Sequence, residues 1–88
     1  MSRWPPLECS DVKKALKRLG FEPRPQKGTS HEQWVKRDGG RLFKVTVDCP
    51  KSPFSLTLVD SMAAQAGISR RQLYQAADKK KKWTWLWS

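Results

Sequence analysis

This chain is short of the groups that most enzyme chemistry draws on. Its 88 residues include one histidine, His31, two cysteines, Cys9 and Cys49, and eight acidic side chains against 18 Lys and Arg. The cysteines lie far apart in sequence with no CxxC spacing, and with a single histidine they cannot supply the four ligands of a structural zinc site. They read as two reduced thiols in a reducing compartment. No clustered carboxylates or second histidine point to a metal-dependent nuclease. P-loop, Gly-rich dinucleotide turn and nucleophile elbow are all missing, which removes the reactions built on them and leaves no cofactor to expect. No apolar run is long enough to span a bilayer, and the N-terminus lacks the hydrophobic segment of a signal peptide. The expectation is a cytoplasmic protein with no membrane partner and no metal.

What is abundant is positive charge. The net charge is +10 with a pI near 10.2. Asp78–Lys82 carries three of those charges, so residues 1–77 hold +7. Charge of that density favours a polyanion such as nucleic acid. At 30% charged and 38% hydrophobic residues, the length and composition fit one small folded domain.

The pattern divides the chain into an irregular lead-in over 1–9, a domain over 10–77 and a compositionally separate tail over 78–88. Ser10 is placed as an N-cap, and Val12, Ala15, Leu16 and Leu19 follow at the spacing of one buried helical stripe. Lys13, Lys14, Lys17 and Arg18 occupy the other face. Gly20 fits the left-handed closing position, with Phe21 packing back on the last turn. Pro23 and Pro25 allow at most a short edge strand.

His31–Arg37 and Arg41–Val47 flank Asp38-Gly39-Gly40, a hairpin signal. A two-residue Asp38-Gly39 turn sets Trp34 opposite Phe43 and Glu32 opposite Val45. It gives Trp34, Phe43 and Val45 a core face, and His31, Gln33, Val35, Leu42, Lys44 and Thr46 the other. A three-residue turn sets His31 opposite Val47 and exchanges the faces. Grouping the aromatics favours the first. A second helical stripe, Leu58, Val59, Met62, Ala63 and Ala66, ends at Gly67. Ser69 and Gln72 form a capping box for a short third helix reaching about Ala77, with Ile68 and Leu73 as a staple. The expected fold is α+β, in the order α-β-β-β-α(-α), with helices on one face of an antiparallel sheet.

In the tail, Lys79–Lys82 precedes Trp83, Trp85 and Trp87, which share a face if extended. A mobile basic tail, base stacking on a single strand and contact with an anionic surface all fit.

Of the side-chain types present, histidine is the one whose ordinary pKa, about 6.5, suits proton transfer at neutral pH, and His31 is the single histidine. RNA can be cut without a metal when a base takes the 2′-hydroxyl proton, the 2′ oxygen attacks phosphorus, and an acid protonates the departing 5′ oxygen. Fixed cations stabilise the more negative transition state. Lys27 precedes His31 by four residues, and Lys44 is expected on the neighbouring strand. Gly28, Thr29 and Ser30 are small enough for the backbone to approach a phosphate.

The run Val12–Phe21, the segment Gln26-Lys27-Gly28-Thr29-Ser30-His31, the Asp38-Gly39 turn and Gln65-Ala66-Gly67-Ile68-Ser69 together resemble the HicA (YcfA-like) mRNA interferase toxins. Those proteins typically show a helix ending in Gly-Phe, a Gly-Ser-His-type segment opening a strand, an Asp-Gly hairpin and an Ala-Gly-Ile/Leu-Ser helix break. The match runs through residues 10–77 in order. It implies a double-stranded-RNA-binding-like fold, metal-independent endoribonuclease activity on mRNA, and neutralisation by a HicB-type antitoxin. It also implies His31 as the catalytic histidine. The free toxin is expected to be a monomer. RNA would be held by Lys27, Gly28, Thr29, Ser30 and Lys44, and by Lys13, Lys14, Lys17 and Arg18 on the first helix. Many members carry Val-Pro-x-His after the last strand where this chain reads Val45-Thr46-Val47-Asp48-Cys49-Pro50, so His31 is expected to work with lysines and water. The competing readings are a binding module that recognises RNA by shape without cutting it, and an inactivated homologue serving as an interaction protein.

Overall fold

A computed structural model describes residues 4–24, 28 and 31–77. Lys27, Thr29 and Ser30 of the expected site, and the tail 78–88, lie outside the described residues. Helix α1 (Cys9–Arg18) buries Val12, Ala15 and Leu16, the stripe read from the sequence. It begins earlier than Ser10. Glu8 is the N-cap, and its N–H donates to the Asp11 carboxylate at 2.9 Å. A carboxylate three positions into the helix can reach back to the cap, and it also suits the positive end of the helix dipole. At the other end Gly20 adopts φ +95°, and Phe21 N–H reaches the Leu16 carbonyl at 2.9 Å, closing the helix as expected.

Strands β1 (Glu22–Arg24), β2 (His31–Asp38) and β3 (Arg41–Asp48) form one antiparallel sheet in that spatial order. The hairpin register differs from the expected one. The tight turn is Gly39-Gly40, with φ of +59° and +79°, the geometry of a type I′ turn whose twist matches that of the strands. Trp34 therefore pairs with Val45, Lys36 with Phe43, and Glu32 with Val47. The shift is two residues, so the side chains keep their faces. Trp34, Val45 and Val47 enter the core, Phe43 is half-buried beside them, and His31, Gln33, Val35, Leu42, Lys44 and Thr46 share the opposite face.

After a short 3-10 turn (Cys49–Lys51), α2 (Leu56–Ala66) starts at Ser55, whose hydroxyl accepts from Leu58 N–H, and ends at Gly67. It packs along β3 so closely that a β-carbon on Gly67 would come within 2.8 Å of the Phe43 ring. Helix α3 (Arg70–Ala76) carries the expected Ser69/Gln72 capping box and packs on α1 and α2. The Arg70 guanidinium forks onto Asp60 at 2.6 Å on both oxygens, and that pairing holds the Asp60 carboxyl below its ordinary range. The helices cover the sheet face that carries Trp34, Val45 and Val47, an α+β architecture.

Two features go beyond the expected plan. The stretch before α1, read as a lead-in, is irregular but packed. Leu7 is fully buried and bridges to Phe54, and Tyr74 donates its hydroxyl to the Pro5 carbonyl at 2.6 Å. Cys9 and Cys49 are joined in a disulfide rather than standing as two thiols, with Cα atoms 5.1 Å apart. The fold lays the first turn of α1 over the end of β3, bringing them within bonding range.

Burial raises the Tyr74 phenol above its ordinary value. The unfolded chain therefore ionises first as pH climbs, so the stability linked to this phenol is complete below about pH 10 and drains away above it. Tyr74→Phe removes both the hydroxyl bond and this dependence. The expected result is a loss of about 1 kcal/mol at neutral pH, with a flatter stability curve in alkali, read by urea titrations at several pH values.

Candidate active site

His31 opens β2, and the observed register puts Asp48, the last residue of β3, directly across from it. Imidazole Nε2 lies 3.2 Å from Asp48 Oδ2. The imidazole side chain is 52% exposed and the carboxylate 20%, so the acid is the sheltered partner and the ring is the one offered to solvent. A carboxylate so placed faces Nε2, orients the ring and stabilises the imidazolium when the ring gains a proton. Lys51, in the 3-10 turn, brings its Nζ to 3.9 Å from the same Asp48 oxygen.

These three residues border a cavity of ≈ 180 Å³ that α2 completes. Its apolar wall is Phe54, Leu58 and Met62. Thr46, Ser61 and Gln65 supply polar groups. The Gln65 carbonyl accepts the Thr46 backbone N–H at 3.1 Å, tying α2 to the outer edge of β3.

Among the described residues, the other expected contacts do not converge on His31. Lys44 is exposed on the same sheet face but pairs with Val35, four positions along β2. At roughly 3.3 Å per residue that is about 13 Å away, so Lys44 does not flank the imidazole. Lys13 is paired with Glu32 at 2.5 Å, and the Arg18 guanidinium donates to the Ala76 carbonyl at 3.0 Å, holding the end of α3. Lys14 and Lys17 are exposed on α1, which belongs to the layer over the other face of the sheet. Gly28 sits exposed in a turn at φ +74°.

Asp48, Lys51 and the cavity were missed from the sequence. The one legible signal was Gly39-Gly40, which as the hairpin turn moves Asp48, rather than Thr46, opposite His31. Among the described residues, no group of three or more His, Cys, Asp or Glu side chains is placed to hold a metal ion. None of their helices is long and apolar enough to cross a membrane.

Residues 9–68 match the family described as "HicA toxin of bacterial toxin-antitoxin". That span is well over half of the chain and includes the first helix, the sheet, His31, Asp48 and α2, so the chain belongs to this family of toxins from toxin–antitoxin systems. Such a toxin has an antitoxin as its partner. No curated protein and no solved structure matches the chain.

Proposed function

We propose that this toxin is an endoribonuclease that cuts mRNA in the cytoplasm without a metal, with His31 as its general acid/base and a HicB-type protein as its antitoxin. The observation that carries the reading is the half-exposed imidazole held by a sheltered carboxylate at the mouth of a cavity. His31 accepts the proton of a ribose 2′-hydroxyl while the 2′ oxygen bonds to phosphorus. The bond from phosphorus to the 5′ oxygen breaks, and the departing oxygen takes a proton from the imidazolium or from water. The products are a 2′,3′-cyclic phosphate and a 5′-hydroxyl. Lys51 stands where positive charge offsets the growing charge on phosphorus, and Lys27, Gly28, Thr29 and Ser30, which lead into His31, hold the adjoining backbone. Lys14, Lys17 and Lys44 add to the field that draws RNA to the surface, together with the paired Lys13 and Arg18.

Incubating the chain with mRNA in excess chelator and analysing the cut ends tests the chemistry. Cyclic phosphates with 5′-hydroxyls support it, whereas uncut RNA that is nevertheless bound identifies a binding module. Asp48 enters as a positioning residue. Asp48→Asn keeps the shape of the pair but removes the charge that stabilises the imidazolium. It is expected to lower kcat by about tenfold or more with little change in KM, because the contact matters most when the ring is protonated. A rise confined to KM would assign Asp48 to substrate binding instead.

A further inference from the structure

The geometry points to a nucleobase subsite in the cavity beside His31, one that prefers a keto-edged base, uracil or guanine, over cytosine or adenine. This deepens the ribonuclease reading and rests on it for the identity of the ligand.

Size comes first. A cavity of ≈ 180 Å³ falls below the roughly 300–1,000 Å³ that holds a drug-sized molecule, and suits a single ring system. Composition comes second. One side is apolar, with Phe54 and Met62 each 5% exposed and Leu58 half-buried, while the opposite rim carries His31, Asp48 and Lys51. A ligand with a flat apolar face and an anionic group at one end matches that division. A nucleotide has this form, its base against Phe54 and Leu58 and its phosphate towards His31 and Lys51. Single-stranded RNA is read in this manner, by bases splayed onto apolar or aromatic side chains and bonded along their edges.

The preference follows from Gln65. Its side chain lines the cavity and its carbonyl accepts the Thr46 backbone N–H at 3.1 Å. A backbone N–H only donates, so the carboxamide must turn its oxygen to Thr46, and its NH₂ is left as the group offered to a ligand. An NH₂ only donates. The keto oxygen of uracil or guanine satisfies it, whereas the exocyclic amino group of cytosine or adenine sets donor against donor. Neighbouring hydroxyls do not discriminate. Ser61 can donate or accept, and Thr46 Oγ1, which accepts from Gln33 Nε2 at 3.2 Å, retains its own hydrogen. Gln65 is exposed at the rim of the cavity, so water can reach its NH₂ and the mismatch is expected to cost about tenfold in affinity rather than to exclude the wrong base.

The test uses uridine and cytidine 3′-monophosphates, which differ along this edge at the keto and amino group and the adjoining ring nitrogen. Binding is followed by NMR shifts of Leu58, Ser61 and Gln65 in the wild type and in Gln65→Glu. In the variant one carboxylate oxygen keeps the Thr46 bond while the other presents an acceptor. The wild type is expected to bind the uridine nucleotide about tenfold more tightly, and Gln65→Glu to weaken both and reverse their order. A thermal melt confirms that the variant is folded. Equal binding in both proteins, or shifts confined to residues away from α2, overturns the subsite. Cleavage assays on RNAs varied at one base separate the two readings. Base-indifferent cutting that still needs His31 removes the subsite and keeps the nuclease. A uridine preference in a chain that cuts nothing keeps the subsite and removes the nuclease.

Discussion

His31→Ala is expected to abolish RNA cleavage while leaving the fold intact. Positioned acid–base catalysis contributes about 10²–10⁴-fold to a rate, and the chain has no second histidine to take over. The ring is half exposed and stands at the first position of β2 rather than filling the core, so its removal costs little stability. Expression in a bacterial host separates the outcomes, with wild type arresting growth and His31→Ala permitting it at equal protein level. Gel-shift affinity for RNA should change little, because the phosphate-holding charges remain. Equal cleavage by the two proteins would sink the catalytic assignment.

Leu7→Ala is expected to be the most damaging single truncation outside the site. Leu7 is fully buried although it precedes every helix and strand, and its carbonyl accepts the Phe54 N–H at 2.9 Å. Emptying such a position costs about 2–5 kcal/mol. In a domain of this size each kcal/mol lowers Tm by roughly 4–8 °C, so the melt should fall by at least about 8 °C. Leu7→Met, which keeps most of the volume, should cost less than about 1.5 kcal/mol. If both variants melt like wild type, the segment before α1 is not part of the core.

The helices were legible because each carried its own punctuation. The stripe of α1, the Gly20 closure and the Ser69 capping box depend on residues within one or two turns of each other, and all three were read directly. The start of α1 was misplaced because both Ser10 and Glu8 can cap, and only the backward reach of Asp11 decides between them. The hairpin was recognised and its faces assigned correctly, yet its register was wrong by one pleat. The slip hid Asp48, since the partner of a strand residue depends on which two residues turn. The Cys9–Cys49 bond was out of reach for a different reason. Nothing local to either cysteine says that α1 will lie across the end of β3. The cavity shares that fate, being made jointly by β3 and a helix that follows it in sequence.

The bond from Thr46 N–H to Gln65 has a bearing on how the toxin is silenced. It occupies an outward N–H of β3 near the Asp48 end, while Leu42 and Lys44 towards the hairpin stay exposed. The sheet's other margin is β1, three residues long, with charged Glu22 and Arg24 flanking a proline that has no N–H to give. Its length and its proline make β1 a poor template for an added strand, which guards that margin against edge-to-edge self-association. A partner that adds a strand is thereby steered to the hairpin half of β3, away from the end that carries Asp48 and faces His31.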